Sequence, residues 1–315
     1  MYIGIDVGGT NLVAGLADRG GVLHHKASCP VNRSWSAEEL VHRLAQLALQ
    51  AAQEGGCPLE DLEGVGAGLP GLVDNSAGVV VKTPNMPFRD TPFRTLFQQV
   101  VSLPVSLGND ADCAAAGEYW SGAAKGCDPV LMITLGTGIG GGLVKGGKLY
   151  TGFGGAGLEV GHLVTHPGGE RCGCGNLGCW ERYGSATALI QLTRTAMGRA
   201  QRSLLWEICG GDLDRVEGRT AFQAARQGDQ TALQVLEDYR RELSFGLISL
   251  CNVLFPEIIC LGGGVSSADN DLLLDPLREL VHRGCFDKDH LPKVVRASLG
   301  NDAGVVGAAM LCQMG

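Results

Sequence analysis

Residues 2–18, YIGIDVGGTNLVAGLAD, read as a strand, a glycine turn and a second strand. YIGIDV (2–7) and LVAGLAD (12–18) are mostly apolar. Gly8-Gly9-Thr10-Asn11 between them is a hairpin turn whose backbone N–H groups can face a concavity suited to phosphate. Asp6 stands at the end of the first strand, where a carboxylate can hold a hydrated Mg²⁺ beside phosphate oxygens. The device recurs further along. Pro129–Leu135 (PVLMITL) is a strong strand, Gly136-Thr137-Gly138-Ile139-Gly140-Gly141-Gly142 is a glycine turn, and LVKGG follows as a strand. One such loop is an ordinary turn. Two matched ones, at 8–11 and 136–142, predict two homologous halves that each contribute a phosphate hairpin.

A second dense stretch is EVGHLVTHPGGERCGCGNLGCWER, residues 159–182. Cys172, Cys174 and Cys179 with one histidine make the S₃N donor set of a closed, tetrahedral, structural Zn²⁺ site. Gly173, Gly175 and Gly178 let the backbone turn tightly enough for the ligands to converge. His162 and His166 both stand at workable spacing for the fourth ligand. His162 also shares a Glu-x-Gly-His unit with Glu159, and Glu181 lies just past the last cysteine. A metal loop would therefore pin two carboxylates and an imidazole at its two ends. Redox pairs normally leave two residues between their cysteines, which disfavours a dithiol reading.

Between these motifs the chain alternates strand and helix patterns. Ser36 and Glu39 form a capping-box pair ahead of an amphipathic helix that ends at Gly55-Gly56. Leu62–Leu69 is a buried strand running into Pro70-Gly71, with Leu72–Asp74 beyond the turn, and Asn85 lies in the loop after Thr83-Pro84. Val105–Leu107 is a short strand meeting Gly108-Asn109-Asp110-Ala111, and Asp112–Trp120 reads as a helix. Asp110 thus sits at a strand end and a helix start, where Asp also serves as an N-cap. The same tetrapeptide returns as Gly300-Asn301-Asp302-Ala303 before another apolar helix, and local sequence does not choose between Asp110 and Asp302. Ser185–Met197 and Asp229–Leu254 are helical, Glu257–Leu261 is a strand, and Gly262-Gly263-Gly264 is a turn that a flat base or ribose can approach.

Composition narrows the class. With 315 residues, 45% hydrophobic, 18% charged and 5% aromatic, and with 49 glycines, the chain has material for two α/β domains rich in tight turns. A net charge of −8 disfavours a nucleic-acid binder. Nine of the 12 cysteines (Cys29, Cys57, Cys113, Cys127, Cys209, Cys251, Cys260, Cys285 and Cys312) are scattered singly, as buried free thiols of a reducing compartment would be. No signal segment precedes the first strand, and the longest mostly apolar stretch, Leu243–Phe255, is too short to span a bilayer. A soluble cytoplasmic protein with no membrane partner is expected.

In this order the motifs resemble those of the ROK family of bacterial sugar kinases and repressors, within the actin-like ATPase superfamily. DVGGTN at 6–11, GLPGLVD at 68–74, NDAD at 109–112, LGTGIGGG at 135–142, the ExGH unit with CGCGNLGCWE at 172–181, and LGGGV at 261–265 carry the resemblance. It implies two ribonuclease-H-like domains, each a mixed sheet flanked by helices, closing over a cleft. Residues 1–112 with 301–315 would form the small domain, and 113–300 the large one, with the zinc loop at 159–181. It further implies ATP with Mg²⁺, structural Zn²⁺ on His162, Cys172, Cys174 and Cys179, and a homodimer. Asp110, not Asp302, becomes the catalytic base. Gly71, Asn85, Asn109, Glu159, His162 and Glu181 become sugar contacts with Asp110. Asp6, Gly8, Gly9, Thr10, Asn11, Thr137, Gly138, Gly262, Gly263 and Gly264 become nucleotide contacts. The implied reaction is phosphorylation of a hexose, first of all glucose to glucose 6-phosphate. N-acetylmannosamine and N-acetylglucosamine are the alternative acceptors, and a sugar sensor without turnover is a remoter reading. The repressor branch carries a DNA-binding segment ahead of the first phosphate motif, and DVGGT at residue 6 leaves no room for one.

Overall fold

The computed structural model describes residues 1–314, so Gly315, the end of the expected 301–315 segment, lies outside the described residues. The chain opens with β1 (Tyr2–Val7), β2 (Asn11–Ala17), β3 (Leu23–Pro30), α1 (Ala37–Glu54), β4 (Gly64–Leu69), β5 (Leu72–Asp74), β6 (Val79–Lys82) and β7 (Arg89–Thr91). It continues with α2 (Phe93–Gln98), β8 (Val105–Asn109), α3 (Asp110–Trp120), β9 (Val130–Leu135), β10 (Ile139–Lys145) and β11 (Lys148–Leu149). After the cysteine-rich loop come α4 (Glu181–Gly184), α5 (Ala186–Arg199), α6 (Leu204–Ile208), α7 (Thr220–Arg226) and α8 (Gln230–Leu254). Then follow β12 (Ile258–Gly262), α9 (Leu274–Gly284), β13 (Lys293–Arg296) and α10 (Ala303–Met314).

Two five-stranded sheets have orders that correspond strand for strand, β3-β2-β1-β4-β8 and β11-β10-β9-β12-β13. In the first, β1 pairs antiparallel with β2 and parallel with β4, which pairs parallel with β8. A small sheet, β5-β6-β7, was not foreseen; its strands are too short to show a period. The second glycine turn is also shorter than expected. β10 begins at Ile139, so Gly140, Gly141 and Gly142 lie inside a strand rather than in the loop.

The chain divides into two compact units. Met1–Met132, Gly142–Leu158 and Ala297–Gly315 form one, and Ile133–Gly141 with Glu159–Arg296 form the other. The first unit therefore extends past the expected boundary at residue 112 and takes in α3. The reason is close helix packing. A Cβ at Gly307 of α10 would lie 1.6 Å from the Cys113 carbonyl oxygen of α3, and one at Gly66 of β4 would lie 1.7 Å from that of Ala308. Only glycine lets α10 approach both. On the other side of this sheet α1 buries Leu40, Val41, Leu44, Leu47, Ala48 and Ala51. Its Ser36–Glu39 capping box is present in both directions.

In the second unit α8 is the central support. Trp180, fully buried, fits a notch where Gly246 has no side chain, and its Nε1 donates to the Glu242 carbonyl at 3.0 Å. The Tyr239 hydroxyl donates to the Gly184 carbonyl at 2.8 Å. These contacts fix the short helix α4 that follows the last cysteine. All twelve cysteines are free; of the nine scattered ones Cys29, Cys57 and Cys312 are only partly buried, and in the cysteine-rich loop Cys174 is exposed. Among the described residues, no helix is long and apolar enough to cross a membrane.

Candidate active site

Four donors converge in the second unit. His162, Cys172, Cys174 and Cys179 place their ligand atoms within 4.8 Å of one another. The Cys174 and Cys179 sulfurs are 3.6 Å apart, and the Cys172 sulfur is 3.7 Å from His162 Nδ1. Tetrahedral Zn²⁺ with bonds of about 2.0–2.3 Å holds its ligands about 3.5–3.8 Å apart, the spacing of these two pairs, and the donor chemistry of the quartet suits that ion. Burial, then the neighbouring Cys174 and Cys172 sulfurs, push the Cys179 thiol up to about 12. A divalent cation held by these four residues would reverse that preference, because thiolates are what it binds. Gly178, at φ +79°, passes so close to the His166 carbonyl that a Cβ would lie 1.7 Å from its oxygen. His166 itself is not part of the quartet. Its Nε2 lies 3.2 Å from the Glu242 carboxylate and its ring stacks on Tyr183 at 3.9 Å, so spacing had offered a rival ligand that packing assigns elsewhere.

The second glycine hairpin lies beside this loop. Gly136 N donates to the Gly138 carbonyl at 3.0 Å, closing the turn. Ile139 N donates to Glu181 Oε2 at 3.2 Å, and a Cβ at Gly138 would sit 2.2 Å from that oxygen. Gly136 and Thr137 line a cavity of about 720 Å³ with Phe222, Gln223 and Arg226 of α7 and with Gly264 and Ser267. Of the expected nucleotide contacts in this unit, Thr137 and Gly264 face the cavity, while Gly138, Gly262 and Gly263 do not line it. Gly263, at φ +83°, underlies the hairpin instead, since a Cβ there would lie 2.4 Å from the Leu135 carbonyl oxygen. The α7 lining has no counterpart in the sequence reading. Thr220–Arg226 is two turns long and carries no motif.

The first unit holds the other expected residues. Asn109, rather than Asp110, is the N-cap of α3: its Oδ1 accepts from Ala111 N at 2.8 Å, while its Nδ2 donates to the Gly71 carbonyl at 2.8 Å. Gly71 itself sits at φ +91° with its Cα against the Lys82 carbonyl of β6, and the Asn109 bond ties this β4–β5 turn to the start of α3. Asp110 is the first residue of the helix and is exposed, with Oδ1 accepting from Ala111 N at 2.9 Å. Asp6 is mostly buried, and burial with the nearby Asp110 charge raises it from 3.8 to about 6. The first hairpin closes by Gly8 N donating to the Asn11 carbonyl at 3.0 Å, with Gly9, Thr10 and Asn11 exposed. Asn85 is an exposed turn residue between β6 and β7. A cavity of about 300 Å³ opens beside Asn109, lined also by Asn75, Asp112, Thr151 and Gly152. Asn75 and Asp112 were not singled out from sequence, although Asp112 stands in the NDAD motif. Asp302 pairs with Lys26 at 2.6 Å.

The sequence profile of the ROK family matches residues 2–314. The chain belongs to the ROK family. It is 38% identical to the glucokinase of Streptomyces coelicolor over 99% of this chain and 98% of that one. To the glucokinase of Thermotoga maritima it is 34% identical, over 98% and 96% of the two chains. A crystal structure of a ROK family glucokinase from Streptomyces griseus, in complex with glucose and AMPPNP, is similar at 37% identity and a TM-score of 0.81, covering 100% of this chain and 99% of that one. Each ROK motif read from the sequence has a definite place in the units. The ExGH and cysteine motifs meet in one His/Cys cluster able to hold a metal ion, and the second glycine hairpin lies against that cluster through Glu181. In the first unit GLPGLVD and NDAD meet through the Asn109–Gly71 hydrogen bond.

Proposed function

We propose that this ROK protein transfers the γ-phosphoryl group of ATP to glucose, giving glucose 6-phosphate. The observation that carries the reading is the full-length similarity to ROK glucokinases, one of them bound to glucose and AMPPNP. In this reading Asp110 accepts the proton of the attacking sugar hydroxyl, since a neutral alcohol is a poor nucleophile. Its exposed carboxylate at the N-terminus of α3 suits that role, because the helix end favours the anion until a proton arrives. Asn109, Gly71 and Asn85 contact the sugar with Glu159, His162 and Glu181. Asp6 with Gly8, Gly9, Thr10 and Asn11, and Thr137 and Gly138 with Gly262, Gly263 and Gly264, serve the nucleotide. Mg²⁺, when bound, offsets the charge that builds at the β–γ bridge. Asp6 is a fitting residue to face it, being a mostly buried carboxylate whose ionised form wants a cation. Zn²⁺, when bound, is structural, and the His162, Cys172, Cys174 and Cys179 quartet would hold it. The matching strand orders of the two five-stranded sheets support the ribonuclease-H-like, actin-like architecture.

A coupled ADP-release assay with Mg-ATP tests this against glucose, mannose, fructose, allose, N-acetylglucosamine and N-acetylmannosamine. Glucose should be preferred by kcat/KM. Preference for an N-acetylated sugar would move the acceptor but keep the phosphoryl transfer, and no turnover on any sugar by folded protein would overturn the reading. Metal analysis of the purified protein should return about one Zn²⁺ per chain, as a single four-ligand site requires.

A further inference from the structure

The cysteine-rich loop and the helix that follows it hold the second glycine hairpin at four points, two from the loop and two from α5. Ile139, the first residue after the turn, is bracketed on both sides of the loop's sequence. Its N–H donates to Glu181 Oε2 at 3.2 Å, just past the last cysteine. Its carbonyl lies against Gly161, in the Glu-x-Gly-His unit, where a Cβ would come within 2.4 Å of the oxygen. Helix α5 then takes hold of the turn itself. Ala186 N, one of the N-terminal donors that a helix leaves without a partner, donates to the Gly136 carbonyl at 2.9 Å. The Thr187 hydroxyl donates to the Thr137 carbonyl at 2.8 Å. With the carbonyls of Gly136 and Thr137 turned toward α5 and held there, the conformation of the turn that lines the 720 Å³ cavity is fixed from behind.

We propose that Thr187, with Glu181, is a positioning residue for the nucleotide: the Glu181–Thr187 segment sets the shape of the Gly136–Ile139 turn so that its donors meet phosphate. Thr187 touches no phosphate in this account; it acts through the Thr137 carbonyl. The assignment rests on the reading of that turn as a phosphate hairpin. It also gives the metal loop a second consequence, because the loop that gathers the cysteines leads directly into the segment that holds the turn. A hydroxyl is what position 187 needs, since Val has the same shape and cannot donate.

The test compares the full chain with Thr187→Val, Thr187→Ser and Gly138→Ala. Affinity for Mg-AMPPNP and, separately, for glucose is measured by calorimetric titration, alongside the thermal midpoint without ligands. Loss of one hydrogen bond that orders the turn predicts a two- to tenfold weaker nucleotide affinity (about that for a net bond) in Thr187→Val. Glucose affinity should stay within twofold (about experimental error) and the midpoint within about 2 °C, as one exposed side chain implies. Thr187→Ser should restore the nucleotide affinity. Gly138→Ala should weaken it too, by displacing the Glu181 carboxylate from Ile139 N. Unchanged nucleotide affinity in Thr187→Val overturns the assignment. So does an equal loss of both ligands with a lowered midpoint, which marks a merely structural role, and so does a failure of Ser to restore binding. Wild-type protein that binds glucose but no nucleotide would instead sink the phosphate-hairpin reading itself.

Discussion

The hexapeptide SLGNDA occurs twice, at 106–111 and 298–303, and adopts two different structures. In the first copy Leu107 and Gly108 are in β8, paired with Ala67 and Gly68 of β4, and Leu107 N donates to the Asn75 side chain at 2.8 Å. Asn109 is extended (φ −70°, ψ 156°) and caps α3. In the second copy Leu299 is helical in backbone (φ −79°, ψ −12°), Gly300 takes φ +55°, and residues 300–302 form a 3₁₀ turn into α10. There the partner is Glu118, a fully buried carboxylate that accepts from the Ser298 hydroxyl at 3.2 Å and from Leu299 N at 2.8 Å. Identical local preferences are thus overridden by what each copy finds to bond with: a strand edge in one place, a buried carboxylate in the other. The consequence is chemical. Asp110 comes to the first turn of α3 near Asp6, whereas Asp302 is tied to Lys26 on the surface.

The sharpest way to break this comparison is to remove each carboxylate in turn. Asp110→Asn should lower kcat by about 10²–10⁴-fold, the usual contribution of a positioned general base, with glucose affinity retained. Asp302→Asn should leave kcat within about twofold, since it removes only an exposed ion pair. Steady-state kinetics on the two variants decides the matter, and the reverse result would hand the chemistry to the second copy.

A smaller effect concerns Asp6. Its carboxyl, at 3.8 in the open chain and about 6 in the fold, binds its proton more tightly in the folded state. Stability therefore falls as pH rises from about 4 through about 6 and is flat above that. The ionised group costs about 3 kcal/mol at pH 8, at about 1.4 kcal/mol per pH unit. Asp6→Asn should accordingly raise stability in metal-free denaturant melts at pH 8 and change little at pH 4, while it damages turnover. Asp110→Asn should shrink the same pH dependence, and Asp302→Asn should leave it unaltered. Equal melts of wild type and Asp6→Asn at pH 8 would mean that this carboxylate is not strained.

The smallest difference is in capping. Asn109→Ala removes a cap bond and the tie to Gly71 and should cost about 1 kcal/mol or somewhat more. Asn301→Ala, at an exposed turn position, should cost less than about 0.5 kcal/mol. Denaturant midpoints at constant slope measure both.

Much of this molecule was legible from short-range patterns. The two strand–glycine–strand hairpins, the Ser36–Glu39 capping box and the three cysteines are local signals, each complete within a few residues. Distant partners left weaker marks. The length of the second turn was overestimated because glycines inside β10 look like loop until their pairing is seen. The α7 residues of the cavity carry no motif, and they matter only because the fold, packing α7 on α8, brings them to the cavity that Gly136 and Thr137 also line.

Sequence by itself determined the family resemblance, the paired hairpins and the close spacing of Cys172, Cys174 and Cys179, because spacing along the chain fixes how nearby groups can converge. Tertiary structure decided that His162 joins those sulfurs while His166 stacks on Tyr183, and that α3 packs with α10 in one unit. It also decided which SLGNDA becomes a strand and a helix. Backbone donors must find acceptors, and for these residues the acceptors lie tens to hundreds of positions away: Asn75 32 residues before Leu107 and Glu118 181 before Leu299.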